Sequence, residues 1–188
     1  MANKIFFFDL ETTGVNFWQH GIHQISGCIE IDGEVKERFN FKVQPNPAAK
    51  IDLKALEIGN VTPEQLATYP TMKEVYGDII IMLSQYVDKY SKTDKMYLCG
   101  FNNASFDNPF FRAFFVQNGD NYFGSWFWSN PIDTFVMATI KLMDVRATMP
   151  DFKLKTVAKQ LGIEVDENKL HDAEYDIRLT REVYYACR

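Results

Sequence analysis

Residues 4–14 read KIFFFDLETTG, and this stretch decides the fold. Four consecutive apolar residues, Ile5–Phe8, indicate a buried β-strand. Alternate side chains of a strand point to the same face, so Asp9 and Glu11 are expected to lie side by side. Two desolvated carboxylates repel each other at a cost of several kcal/mol unless a positive charge lies between them. The sequence therefore requires a compensating positive charge close to the end of this strand.

The composition predicts a folded protein that does not cross a membrane. The chain has 188 residues, of which 46% are hydrophobic and 16 are phenylalanine, and we expect one domain spanning residues 1–188. No stretch approaches the roughly 20 apolar residues of a membrane span, and carboxylates follow the first apolar run too closely for a signal peptide. Cys28, Cys99 and Cys187 are widely spaced and lack a CxxC pattern. We therefore expect free thiols, buried at Cys28 and Cys99, in a reducing, cytoplasmic environment.

The net charge of the chain limits the ways in which it could bind nucleic acid. A net charge of −5 argues against a broad basic surface that covers nucleic acid, but not against a small acidic site that meets phosphate through bound cations. The most basic stretch contains Lys141, Arg146, Lys153, Lys155 and Lys159. It is compatible with guiding a nucleic-acid strand and equally with solvated helix faces. Dinucleotide-binding, P-loop and serine-hydrolase motifs do not occur in the sequence.

Two further strands are predicted to form a hairpin beside the first. The segments IHQISGCIEI (22–31) and EVKERFNFKV (34–43) are joined by Asp32-Gly33, a pair typical of a tight β-turn. Alternation in the second segment predicts one apolar face, made of Val35, Phe39, Phe41 and Val43. Its other face is largely charged, which indicates a half-exposed strand.

Helices and one more strand are expected in the rest of the chain. Thr71, with Glu74 three residues later, is typical of a helix N-terminus, and the amphipathic pattern extends to about Tyr90. KMYLCGF (95–101) has the character of a buried strand. Other helices are predicted within PFFRAFFVQNG (109–119), PIDTFVMATIKL (131–142), FKLKTVAKQLG (152–162) and the segment after His171. This order of elements predicts an α/β fold with a mixed sheet.

Two more acidic residues lie at the ends of predicted elements. Asp107 closes GFNNASFD (100–107) after the fourth strand, where helix capping is an alternative interpretation. Asp176 falls at the edge of the inward-facing stripe of the last helix. Lysine and arginine are not adjacent in sequence to Asp9, Asp107 or Asp176. This pattern suggests hard divalent cations such as Mg²⁺ or Mn²⁺, which prefer oxygen ligands.

Three motifs carry a resemblance to a known family. FDLETTG (8–14), NNASFD (102–107) and HDAEYD (171–176), in this order and spacing, resemble the exonuclease motifs of the DnaQ-like 3′→5′ exonucleases, and the histidine indicates their DEDDh subgroup. The resemblance covers nearly the whole chain. The five catalytic positions of the family are filled by Asp9, Glu11, Asp107, His171 and Asp176. Two positions depart from the pattern, because Asn102 and Gly59 stand where many members have histidine.

The resemblance implies a ribonuclease H-like fold, a mixed β-sheet flanked by helices, and a two-metal mechanism. Its implied ligands for two Mg²⁺ or Mn²⁺ ions are Asp9, Glu11, Asp107 and Asp176. Two ions about 4 Å apart would stabilise the attacking and leaving oxygens of a displacement at phosphorus. A histidine ordinarily has a pKa of about 6.5, so His171 is implied as the base that takes the proton of the attacking water.

The resemblance also implies a substrate and its contacts. The substrate would be a single-stranded 3′ end of nucleic acid, with DNA expected before RNA, cleaved to nucleoside 5′-monophosphates. Contacts to the terminal nucleotide are implied for Thr12, Thr13, Gly14 and Val15, with Asn103 as a further candidate. The alternatives are a non-catalytic nucleic-acid-binding or scaffold protein, an RNA-trimming exoribonuclease, and a proofreading subunit bound to a polymerase or to another replication or repair protein.

Aromatic residues near the motifs allow two interpretations. Phe17-Trp18 and YFGSWFW (122–128) could supply faces for base stacking, worth about 1–3 kcal/mol per base. They could instead pack a loop over the core. Periodicity does not distinguish the rings that face solvent from those that face the core.

Overall fold

The computed structural model describes residues 2–169 and 172–188, and the predicted mixed sheet is present within them. Its strands in chain order are Lys4–Thr12 (β1), Ile22–Ile31 (β2), Glu34–Lys42 (β3), Tyr97–Gly100 (β4) and Ile132–Asp133 (β5). Their order across the sheet is β3-β2-β1-β4-β5. Because β1 pairs antiparallel with β2 and parallel with β4, the strand that carries Asp9 and Glu11 lies at the centre.

Helices cover both faces of this sheet. In the described ranges they are Leu53–Ile58 (α1), Pro63–Leu66 (α2), Met72–Ser84 (α3), Asp107–Gln117 (α4), Thr134–Lys141 (α5), Leu154–Gln160 (α6) and Ala173–Cys187 (α7). Phe6 and Phe8 pack with α3 and α4 on one face, whereas Phe7 packs with α7 on the other. Burial on both faces explains the uninterrupted apolar run of β1. Within the described residues, no helix combines the length and the apolar character that crossing a bilayer requires.

Phenylalanine rings fill the space between β1 and α4. The fully buried Phe111 lies 5.8 Å from Phe6 and 5.3 Å from Phe8, measured between ring centroids. Phe127 adds an edge-to-face contact with Phe6 at 5.4 Å. Such offset and edge-to-face pairs stabilise a core beyond the effect of burial alone. They also fix the start of α4, and therefore Asp107, relative to β1.

The hairpin predicted around Asp32-Gly33 is confirmed, with one difference in its apolar face. The φ angles of Asp32 and Gly33 are 51° and 87°, the positive values that a type I′ turn requires. Ile29 pairs with Glu37 and Glu30 pairs with Val35, so Lys36 is the extra residue of a bulge in β3. Val35 consequently packs in a different cluster from Phe39 and Phe41. The expectation of one shared face is wrong for Val35. The extra residue of a bulge shifts the alternation by one, so side chains on its two sides point to opposite faces of the sheet.

Helix α3 begins at its predicted capping box but ends earlier than its amphipathic pattern indicates. Its last residue is Ser84, whereas the pattern extends to about Tyr90. Tertiary contacts hold the next residues outside the helix. Lys4 Nζ donates a hydrogen bond to the carbonyl of Tyr86 at 2.6 Å, and the Tyr86 hydroxyl donates to Glu37 at 2.8 Å. These contacts to the sheet compete with continuation of the helix.

The short strand β5 adds an edge to the sheet where the sequence predicts only a helix. Ile132 pairs with Cys99 and Asp133 pairs with Gly100 in parallel orientation. Two residues are too few for an alternating pattern to be recognised. Asp133 then caps α5 by accepting a hydrogen bond from the amide of Phe135 at 2.9 Å.

Helix α7 is fixed to β2 by a buried ion pair. Glu30 is only 1% exposed and accepts hydrogen bonds from Arg181 Nε at 3.0 Å and from the Tyr185 hydroxyl. The Arg181 guanidinium also lies 5.7 Å from the ring centroid of Phe7. A buried carboxylate depends strongly on its partner, so this pair holds α7 in one position on the sheet. The position of Asp176, on the same helix, depends on it.

The cysteines agree with the prediction. Cys28 and Cys99 are buried and Cys187 is half-buried, and in the described structure each is a free thiol. Burial raises the pKa of the Cys28 thiol to about 11, so this thiol stays protonated near neutral pH.

His23 is a fully buried histidine on β2. Neither ring nitrogen has a hydrogen-bond partner in residues 2–169 and 172–188. Desolvation, together with the positive charge of Lys42, lowers its pKa from 6.5 to about 4. A Cβ atom on Gly59 would lie 3.6 Å from His23 Cε1. The imidazole of His23 therefore lies beside the position at which DnaQ-like sequences often carry a histidine.

We expect His23 to make the folded protein sensitive to acid. Its pKa is about 4 when folded and ordinarily 6.5, so protons bind preferentially to the unfolded chain. Its contribution to stability is present above pH 6.5 and is lost as pH falls, by about 3 kcal/mol near pH 4. Urea unfolding of the wild type and of His23→Leu across this range measures the effect. A difference between the two proteins that does not vary with pH would contradict it.

Candidate active site

The carboxylates of the first motif project from one face of β1. Asp9 pairs with Ser26 and Glu11 pairs with Gln24 in the ladder to β2, which confirms that they share a face. The same face carries Phe7, which packs against α7. The third motif is therefore brought to the first by the packing of α7 on β1.

The predicted carboxylates act on one another at the end of β1. Desolvation raises the pKa of Asp9 well above its usual range. Further increases come, in order, from the negative charges of Asp107, Glu11 and Asp176. Interactions of this kind weaken with distance and are screened by water. The chain therefore brings acidic side chains of all three motifs into one electrostatic site.

Asp107 joins the second motif to β1. It is 4% exposed, and its Oδ1 accepts a hydrogen bond from the amide of Leu10 at 3.1 Å. The N-cap residue of α4 is Phe106, which makes no side-chain capping bond in the described structure. The capping interpretation of Asp107 is therefore wrong. Desolvation raises its pKa, although the hydrogen bond from Leu10 opposes this increase.

Asp133 supports the second-motif loop, a role that sequence reasoning does not identify. Its carboxylate accepts hydrogen bonds from the amides of Asn102 at 2.9 Å and Ala104 at 3.1 Å. Asn102 has a φ of 65°, a conformation that needs support from its surroundings. The charge of Asp133 also raises the pKa of Asp107. An aspartate directly before a helix is the available sequence signal, but it predicts only a cap.

Lys42 brings a positive charge close to Glu11. Gln24 pairs with Glu11 on β1 and with Lys42 on β3, so the three side chains form a row across the sheet. Desolvation lowers the pKa of Lys42, and the charge of Glu11 opposes this decrease. Lys42 Nζ also donates a hydrogen bond to Gln24 Oε1. Lys42 is distant from Glu11 in sequence, and strand pairing alone brings the two together.

The loop after β1 contains most of the residues predicted to contact the terminal nucleotide. Thr12 and Thr13 are buried, and the hydroxyl of each donates a hydrogen bond to a backbone carbonyl. For Thr12 the acceptor is the carbonyl of Gly14, at 2.8 Å. A Cβ atom on Gly14 would lie 2.3 Å from His20 Cδ2, so only glycine fits there. Val15 is 82% exposed. The hydroxyls thus stabilise the loop, and Val15 presents the side chain that is open to a ligand.

The roles expected for Asn103, as a substrate contact, and for His171, as a general base, remain predictions. Asn103 is fully buried, and its Nδ2 donates a hydrogen bond to Asn108 Oδ1 at 3.4 Å. Its Oδ1 has no partner among the described residues. A contact between Asn103 and substrate is therefore still a prediction. His171 lies outside the described residues, so its predicted role as a base is also untested.

The donor atoms of this site suit the predicted ions. Carboxylate oxygens are the ligands that Mg²⁺ and Mn²⁺ prefer. Buried like charges that raise one another's pKa are stabilised by a cation between them. No group of three or more His, Cys, Asp or Glu side chains in the described ranges is already arranged to hold a metal ion. The carboxylates share an electrostatic site without forming a closed cage of ligands.

The aromatic segment 122–128 divides between core and surface. Phe123, Trp126 and Phe127 are at most 3% exposed and belong to the main core, so the packing interpretation is confirmed for them. Tyr122 is 76% exposed. Trp128 is half-buried and lines a groove. Base stacking therefore remains a prediction for Tyr122 and Trp128, the two rings of this segment that are not buried.

The chain is similar in sequence to an exonuclease family, to a Ribonuclease T and to PolC-type polymerases. The sequence model of the exonuclease family matches residues 6–184. Ribonuclease T of Hahella chejuensis is 28% identical over 185 residues, which cover 94% of this chain and 79% of that protein. The PolC-type DNA polymerase III of Clostridium perfringens is 27% identical over 94% of this chain but only 10% of its own length.

Solved structures share the fold. E. coli exonuclease I in complex with a dT13 oligonucleotide has a TM-score of 0.73 and 21% identity, covering 98% of this chain and 40% of that one. A product-bound structure of exonuclease I has a TM-score of 0.74 and 19% identity, covering 99% of this chain and 43% of that one. The chain therefore spans about a tenth of PolC-type relatives and about two fifths of exonuclease I.

We expect Asp9→Asn to fold and to be at least as stable as the wild type in EDTA, because the amide removes a desolvated charge from the cluster. Mn²⁺ at about 100 times its Kd should stabilise the wild type by about 2.7 kcal/mol and leave Asp9→Asn unchanged. Thermal melts with EDTA and with Mn²⁺ measure both effects. Asp78→Asn changes an exposed carboxylate of α3 and should respond like the wild type. An equal Mn²⁺ response in Asp9→Asn would rule out its role as a ligand.

Proposed function

The chain belongs to the exonuclease family, and we propose that it hydrolyses phosphodiester bonds at single-stranded 3′ ends of nucleic acid, releasing nucleoside 5′-monophosphates. The observation that carries the proposal is the meeting of carboxylates from three motifs at the end of the central strand: Asp9 and Glu11 share a face of β1, Asp107 accepts a hydrogen bond from the amide of Leu10, and the charge of Asp176 reaches Asp9. DNA is the substrate we expect first. RNA is a second candidate, because a Ribonuclease T is similar over most of both chains.

The carboxylates would act as ligands for two Mg²⁺ or Mn²⁺ ions. The proposed ligands are Asp9, Glu11, Asp107 and Asp176. When bound, the ions would supply positive charge to the attacking and leaving oxygens at phosphorus. The protein's own contribution is the position of the ligands. The β1 ladder holds Asp9, the amide of Leu10 holds Asp107, and the Glu30–Arg181 pair holds the helix of Asp176.

Other residues would handle the water and the terminal nucleotide. His171 would accept the proton of the attacking water, since a neutral imidazole is a suitable base near neutral pH. Val15, exposed after β1, would contact the terminal nucleotide, and the buried threonine hydroxyls would keep its loop rigid. A site this acidic cannot cover a duplex, so binding should depend on a few unstacked nucleotides.

A role beside a polymerase is a second candidate. The PolC-type polymerase of C. perfringens matches 94% of this chain within a tenth of its own length. We propose on this basis that the exonuclease acts with a polymerase or with another replication or repair protein. Comparing the removal of paired and mispaired 3′ nucleotides separates a proofreading activity from general trimming of single strands.

We expect linear single strands to be degraded from the 3′ end and circular single strands to survive. Substrates labelled at the 3′ end should release mononucleotides from the first seconds, whereas 5′-labelled strands should shorten gradually. Matched DNA and RNA oligonucleotides, with Mg²⁺, Mn²⁺ or EDTA, provide the assay. Asp176→Asn is the control for contaminating nucleases and should be inactive. Cleavage within circles would contradict an exonuclease, and a wild type inactive on every strand would favour a non-catalytic binding protein.

We expect His171→Ala to lower kcat by about 10²–10⁴-fold, the usual contribution of a general base. Affinity for Mn²⁺ and for oligonucleotide should change little, because the imidazole would contact water and not the ions. Only a neutral imidazole accepts a proton, so wild-type activity should fall as pH drops through the pKa of this imidazole. The variant should lose this dependence. Pre-steady-state rates between about pH 5 and 8 measure it, and a wild-type kcat in the variant would require another base.

A further inference from the structure

Lys42 lies on an edge strand of the sheet, and its amine is directed inward. β3 comes first in the order β3-β2-β1-β4-β5, so water is within reach of a lysine on this strand. Lys42 Nζ nevertheless donates a hydrogen bond to Gln24 Oε1 on β2. Gln24 is 7% exposed, and its Nε2 donates to Asn40 Oδ1 at 2.8 Å. Because both ends of this buried amide are bonded to β3, the amine of Lys42 is held toward the neighbouring strand.

The register of the strands places this amine on the carboxylate side of the sheet. Gln24 pairs with Glu11 on β1 and with Lys42 on β3, so the three side chains project from one face. Side chains directly opposite one another on antiparallel strands have their Cβ atoms about 4.5–5.5 Å apart. Two such steps separate Lys42 from Glu11, and a lysine side chain turned toward β2 spans much of this distance.

The charge of this amine acts on its surroundings in the sheet. Desolvation lowers the pKa of Lys42, and the negative charge of Glu11 opposes this decrease. The positive charge of Lys42 contributes in turn to the lowered pKa of His23, the neighbour of Gln24 on β2. The ring centroid of Tyr69 lies 5.9 Å from Lys42 Nζ, a distance at which an aromatic ring attracts a cation. A positive charge of the chain itself therefore lies beside the carboxylate cluster.

We propose that Lys42 is the built-in counter-ion of the metal-free site and that it competes with the cation that Glu11 binds. The proposal rests on the metal-binding role proposed above for Glu11, and it adds a residue that sets the affinity of that site. Without a metal ion, the amine offsets part of the repulsion among the carboxylates and stabilises the folded protein. Because like charges repel, the same amine weakens the binding of a divalent cation.

The two effects have opposite signs, and this separates a counter-ion from a structural residue. Replacing a lysine that only supports the sheet would loosen the ligands, so that folding and cation binding would both become weaker. Replacing a counter-ion weakens the folding of the metal-free protein but strengthens its binding of a cation. Measuring stability and cation affinity on the same variants therefore distinguishes the two roles without a substrate.

The test begins with Lys42→Met, which removes the charge and keeps a long side chain. Its melting temperature in EDTA should lie about 2–4 °C below that of the wild type. Its Kd for Mn²⁺, measured by calorimetric titration, should be roughly three- to tenfold lower. Lys42→Arg keeps the charge and should retain wild-type values of both. Lys36→Met removes an exposed lysine of the same strand, at the bulge, and should leave the Kd unchanged.

The outcomes separate the counter-ion from the proposed function. A Kd of Lys42→Met at or above the wild-type value would overturn the counter-ion, as would an unchanged melting temperature in EDTA. Glu11→Gln combined with Lys42→Met should fold even if Lys42→Met alone does not, and failure of this double variant to fold would assign Lys42 a structural role and overturn the proposal. A wild type that binds no Mn²⁺ would overturn the metal site of the proposed function, and the counter-ion with it. A wild type that binds Mn²⁺ and hydrolyses single strands, with an unchanged Kd in Lys42→Met, would overturn the counter-ion alone.

Discussion

The concentration of negative charge at the end of β1 is the constraint on which the rest of the structure depends. Asp9 is desolvated there, beside the charges of Asp107, Glu11 and Asp176. Such a cluster opposes folding, so the surrounding structure must hold the carboxylates firmly enough to keep them together. The central position of β1, bonded on both sides, and the phenylalanine core between β1 and α4 meet this requirement. The rigidity of the core therefore serves the site directly.

Contacts between residues far apart in sequence complete this support. The amide of Leu10 binds the carboxylate of Asp107, so the first and second motifs share a hydrogen bond. Glu30 and Arg181 hold the helix of the third motif on the sheet. A functional site needs such supporting contacts, because small shifts of its ligands weaken it greatly. Each contact also connects the site to a different part of the core, so stability and function depend on the same residues.

The proposed function has to reconcile an acidic chain with an anionic substrate. The carboxylate site is strongly negative and would bind phosphate only together with cations. The whole chain has a net charge of −5, so it lacks the excess of lysine and arginine that a broad contact with phosphates needs. Under the proposed function, affinity for nucleic acid would therefore come from the bound cations and from a few unstacked nucleotides, and not from a basic surface.

Local patterns in the sequence were sufficient for β1, for the hairpin around Asp32-Gly33 and for the shared face of Asp9 and Glu11. These features follow from the alternation of side chains along a strand and from turn geometry, which depend on adjacent residues. The motifs were also sufficient for family membership. Packing alone determined the sheet face on which Val35 lies, the proximity of Lys42 to Glu11 and the exposure of each aromatic ring in 122–128. Those features depend on strand register and on contacts between distant segments, which no local periodicity encodes.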